Sequence, residues 1–133
     1  MELELQSPLT LVPNSFNVLI APVEVLVDSL TYNLKELQRL QVLNVSGNYS
    51  RILDKLDRKF TELDVRRAFT DYQLLTILKE AYQTLIILEH DPSLFEGAGE
   101  MAEYIGHALK EASENSAVLL YSPWTDRYLE EVS

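Results

Sequence analysis

The chain has no cysteine, so disulfides and thiolate metal sites are excluded. Histidine is nearly absent too, with only His90 and His107 to serve an imidazole-based centre. Glycine is scarce, at four residues, and none precedes Gly47. No G-x-S-x-G nucleophile motif is present. Apolar runs such as Thr84–Leu88 are far too short to span a bilayer. Met1-Glu2-Leu3-Glu4 opens with acids where a signal peptide carries positive charge, and the expectation is a cytoplasmic chain. Basic residues are outnumbered, 11 against 21 acidic, for a net charge of −10. That balance argues against direct binding to nucleic acid or to anionic lipid. The densest basic stretch, Arg51, Lys55, Arg58 and Lys59 followed by Arg66 and Arg67, is interrupted by Asp54, Asp57, Glu62 and Asp64. It reads as a solvated mixed-charge face.

What is present suits one globular domain over residues 1–133, with 47% hydrophobic and 24% charged residues. The Asn-x-Ser sequons at Asn44 and Asn48 read as chance matches without a secretion signal. Pro13-Asn14-Ser15 is a turn signal, and Asn17–Ala21 a short strand. Val23 to Gln38 carries apolar residues at helical spacing. Gln41–Ser46 reads as a second strand, and Ser50 as the cap of a helix running to about Lys59. Leu63–Phe69 is ambiguous and short. Asp71 is the expected cap of a helix through Tyr82. Thr84–Glu89 is a continuous apolar strand, buried on both faces. Gly97–Glu114 reads as a helix, Ala117–Tyr121 as the last strand and Trp124–Val132 as a terminal helix. Strands alternating with helices predict a three-layer α/β/α domain with a mostly parallel sheet of four to five strands.

The segment LDVRRAFTDYQLLTILKEAYQTLIILEHD, from Leu63, resembles a stretch of the ATPase core of RecA/RadA-type recombinases that ends in the Walker B strand. FEGAGEMAEYIGHAL is similar to that family's first DNA-binding loop and the helix after it. SAVLLYSP stands where the next core strand belongs, and LQVLNVSGNYS resembles the strand that in the family ends in Asp-Thr-Glu-Gly. The matches keep their order from Asn17 to Pro123 and imply a shortened RecA-like core.

The resemblance also implies lost chemistry. A Walker A loop needs glycines, so that amides can cradle phosphates, and a lysine to neutralise them. Its register falls on Pro22–Ser29. Pro22 and Val27 stand for the glycines and Asp28 for the lysine; only Ser29 keeps its type. Proline has no amide to donate, and valine resists the positive φ that glycine supplies. Asp28 puts a carboxylate where phosphate charge must sit. Ser46 takes the place of the catalytic glutamate, Glu89 that of the Walker B aspartate, and Ala98 that of the arginine between the loop glycines. The strands that complete the family's core are missing after Pro123. The expectation is a protein that is not an enzyme and uses no cofactor. Its implied partner is a RecA/RadA-type ATPase or a second copy of itself, in recombination, repair or related signalling.

Three further groups of residues bear on function. Glu89-His90-Asp91 invites a metal reading, but adjacent strand residues face opposite ways, and no metal site is expected. Ser46, Glu89, His90 and Ser122 sit at strand carboxyl ends, where open α/β sheets place ligands. They define the alternative of a small-ligand module. Tyr121, Trp124 and Tyr128 lie close together in sequence, either as an interaction surface or as cover for a sheet edge.

Overall fold

The computed structural model of the chain describes residues 3–5, 9–11, 14–47, 49–56, 63–90 and 101–124. In chain order the main elements are β3 (Phe16–Ile20), α1 (Val23–Tyr32), α2 (Leu34–Leu37), β4 (Val42–Ser46), α3 (Arg51–Lys55) and β5 (Leu63–Arg67). They continue with α4 (Asp71–Glu80), β6 (Leu85–Glu89), α5 (Met101–Ala112) and β7 (Ala117–Ser122). Ahead of them, β1 (Leu3–Leu5) and β2 (Leu9–Leu11) pair as an antiparallel hairpin apart from the main sheet. The turn before β3 uses Asn14 at φ 55°, a left-handed position that asparagine tolerates.

The five main strands form one sheet in the order β3-β7-β6-β4-β5, and every neighbouring pair is parallel. Parallel neighbours need a crossover, and helices supply it on both faces. The register explains the layers. On β6, Leu85 and Ile87 enter a cluster with Val23, Leu26, Leu30, Leu37 and Ile52 of the α1–α3 side. Ile86 and Leu88 enter the opposite cluster with Leu74, Ile77, Leu78, Ile105 and Leu109 of α4 and α5. Each such Leu or Ile contributes roughly 1.5–3 kcal/mol by leaving water. The result is the expected α/β/α sandwich, with five strands and no antiparallel member in the sheet.

Several boundaries differ from the sequence reading. The helix from Val23 stops at Tyr32, where Asn33 leaves the helical dihedrals at φ −98° and ψ 17° and its side-chain Nδ2 donates to the Ser29 carbonyl at 2.8 Å. The apolar stripe runs on to buried Leu37 in α2, so periodicity alone could not see the break. Ser50 caps α3 as expected, its hydroxyl accepting from the Leu53 amide, but Leu56 is extended and ends the helix at Lys55. Thr70, not Asp71, caps α4: its hydroxyl accepts from the Gln73 amide at 3.1 Å. The Gln73 side chain reaches back to the Phe69 amide at 2.7 Å, a variant of the capping box. Extended Ala81 ends α4 at Glu80, short of Tyr82. The ambiguous stretch after residue 62 is a strand, β5, on the sheet edge. The terminal helix expected over Trp124–Val132 lies, beyond Trp124, outside the described residues.

Candidate functional site

The turn from β3 into α1 is two residues long, Ala21-Pro22. Of the eight positions from Pro22 to Ser29, where the sequence resemblance would put a phosphate loop, all but Pro22 lie inside α1. Amides from Val27 onward are committed to helix bonding and do not converge on a common centre. Val27 is buried in the core and Asp28 is exposed. Ser29 is buried, with its hydroxyl turned back onto the Val25 carbonyl at 2.8 Å. Pro22 precedes the helix without a side-chain cap, its carbonyl accepting from the Val25 amide at 3.0 Å.

Strand order reverses direction between β4 and β6: β5 lies outward of β4 on one side, and β7 outward of β6 on the other. The carboxyl ends of those two strands therefore meet at a topological switch point, the usual ligand position in such sheets. Here the crevice is filled from within. Glu89, at the end of β6, is only 5% exposed. One carboxylate oxygen accepts from Asn44 Nδ2 at 3.0 Å and from the Ser50 hydroxyl. The other accepts from the amides of Arg51 at 2.9 Å and Ile52 at 3.3 Å. The carboxylate thus ties β6 to β4 and to the first turn of α3, where the exposed helix amides favour negative charge. Each carboxylate oxygen has two donors supplied by the chain itself.

The other crevice residues divide between the faces. Ser46 ends β4 beside Glu89, fully buried, with a long 3.4 Å contact from its hydroxyl to the Gly47 carbonyl. His90 and Ser122 lie one residue past Glu89 and Tyr121, which pair in the register, so they turn toward the α4–α5 face. The His90 amide donates to the Tyr121 carbonyl at 2.7 Å, and the Ser122 hydroxyl contacts the Trp124 carbonyl. Asp91 lies outside the described residues, and no group of three or more metal-ligating side chains gathers among those described. Asn44 is 1% exposed, with its Nδ2 on Glu89, which removes this sequon from any surface role. Asn48 lies outside the described residues.

The aromatic group near the chain end also divides. Tyr121 is 1% exposed and belongs to the α1–α3 core, which takes it out of the interaction surface that was one of the two roles expected of this group. Its hydroxyl donates to the Ala21 carbonyl at 2.8 Å, and burial pushes its pKa above the ordinary value. Trp124 is 41% exposed, and the Arg51 guanidinium lies 4.7 Å from its ring centre. Tyr128 lies outside the described residues. The mixed-charge face is partly paired, Lys55 with Glu24 at 3.8 Å and Arg66 with Glu80 at 3.1 Å.

Asp71, in the first turn of α4, has a buried Oδ1 without a hydrogen-bond partner, and desolvation raises its pKa above the ordinary 3.8. The folded state holds this proton more tightly than the unfolded chain does. Its contribution to stability is therefore greatest in acid and falls as pH rises from the ordinary value through the raised one. Asp71→Asn does not titrate. Urea unfolding of both proteins from about pH 4 upward is expected to show the difference moving in favour of the variant as pH rises. A constant difference would mean that the carboxyl is not desolvated.

No family model matches the chain. An uncharacterized protein of Archaeoglobus fulgidus is 45% identical over 82 residues, which make up 61% of this chain and 40% of that relative. The matched segment thus spans well under half of the relative's length.

Proposed function

We propose that this protein is a non-catalytic, RecA/RadA-like domain that acts through protein contacts, with a RecA/RadA-type ATPase as its partner, in DNA recombination, repair or related signalling. The observation that carries this reading is the helix at Val23–Tyr32, which runs through the positions where a phosphate loop would be. The switch-point crevice supports it too, since Glu89, at the position the resemblance gives to the Walker B aspartate, already accepts from four donors of the chain itself. Calorimetry with ATP and Mg²⁺ tests the non-catalytic half. No binding is expected at millimolar nucleotide. Binding tighter than about 100 μM, roughly −5.5 kcal/mol, would overturn the reading. The partner half is tested by mixing the chain with a purified recombinase: salt-sensitive association supports it, and none at low salt counts against it.

A further inference from the structure

Ten large apolar side chains stand exposed among the described residues, and they are not spread evenly. Seven lie at the end of the sheet where the strands terminate, on strand ends, in the turns that follow or in the first turns of the helices. Tyr49, Phe69, Tyr72, Tyr104 and Trp124 are the aromatic members. Tyr32 and Tyr82 are at the opposite end. Scattered exposed tyrosines need no explanation, but a concentration on one rim does.

We propose that this rim docks a cationic segment of a protein partner, with Lys and Arg side chains lying over the exposed rings and against the carboxylates between them. The inference rests on the protein-contact reading above and names the chemistry of the contact. Three observations favour a cation. The rim already shows the geometry once, in Arg51 over the Trp124 ring. Asp71 lies in the chain between Phe69, 61% exposed, and Tyr72, 74% exposed, and so puts an acid between two exposed rings. Each of the four helices starting at this rim carries an acid in its first turn: Glu24, Asp54, Asp71 and Glu103. That placement suits the helix dipoles. Nearby bases are engaged, Arg51 on Trp124 and Lys55 with Glu24. The net charge of −10 favours approach of a basic partner and disfavours a second copy or a nucleic acid.

Trp124 is the only tryptophan, so its emission reports on the rim. The probe is an oligo-arginine peptide titrated into the full chain, with oligo-glutamate as control. A saturable emission change is expected with the first alone, its affinity falling as salt is raised. Replacing Phe69 and Tyr72 together with alanine should weaken binding roughly tenfold or more, and Asp71→Asn should weaken it as well. Replacing Tyr32 and Tyr82 should leave it unchanged. The proposal is overturned by absence of saturation, by equal weakening in both double variants, or by preferred binding of single-stranded DNA. It is also overturned by self-association that the Phe69/Tyr72 variant abolishes. If peptide binding fails while ATP also fails to bind, this inference falls and the non-catalytic reading stands. If ATP binds and the rim still takes the peptide, the reverse holds.

Discussion

Replacing Glu89 with alanine is expected to lower the unfolding free energy by about 4 kcal/mol or more, on about 1–3 kcal/mol for each of the four donors stripped of its acceptor. Four donors converge on this side chain, from Asn44, Ser50, Arg51 and Ile52, and water has little access to a group that is 5% exposed. Glu89→Gln is the sharper test. It keeps the volume, but one terminal oxygen becomes an amide nitrogen that faces two donors, and about 2 kcal/mol should still be lost. Urea unfolding should show a lower midpoint at unchanged slope for both variants. Hydrogen exchange should quicken first at the Arg51 and Ile52 amides, because α3 is a short helix that the carboxylate holds against the sheet. A glutamine variant as stable as the parent, with those amides still protected, would show that the carboxylate is not what docks α3.

How far the sequence foretold this arrangement depends on the range of each interaction. The central strands were legible because β6 and β7 are short runs buried on both faces, and burial on both faces leaves an uninterrupted apolar signature. The caps were legible in part. Ser50 was read correctly, whereas the cap of α4 is Thr70, one residue before the aspartate that the sequence suggested; the Thr-x-x-Gln spacing to Gln73 was the available signal. The role of Asn33 was hidden, because Leu34 and Leu37 continue the stripe across the break. Glu89 was singled out at its strand end, but its use was not. Its partners in α3 are 37 to 39 residues earlier in the chain, and no local pattern links a strand-terminal glutamate to the start of a particular helix. The same holds for Arg51 and Trp124, which the fold alone brings together. Tyr121 and Trp124 are three residues apart, and aromatic content placed them in one group, as an interaction surface or as cover for a sheet edge. The strand pleat and the chain's exit from the sheet give them two roles.

That division of roles has a measurable consequence. Tyr121→Ala is expected to cost about 3–5 kcal/mol, the usual range for deleting a fully buried aromatic ring. The ring packs in the α1–α3 cluster with Leu26, Leu30 and Leu119, and the site is bounded by strands on both sides, which limits collapse around the cavity. Tyr121→Phe removes only the hydroxyl and its bond to the Ala21 carbonyl, and should cost about 1 kcal/mol. That smaller variant isolates the link between β7 and the turn that leads into α1. Trp124→Ala, by contrast, should cost about 0.5–1 kcal/mol, the value of an exposed cation–π contact. Thermal or urea unfolding of the three variants separates the two readings of this aromatic group. A Tyr121→Ala protein as stable as Trp124→Ala would mean that Tyr121 is not a core residue. The expected order places it in the core, and it leaves Trp124 as the described aromatic of that group that a partner can reach without unfolding the domain.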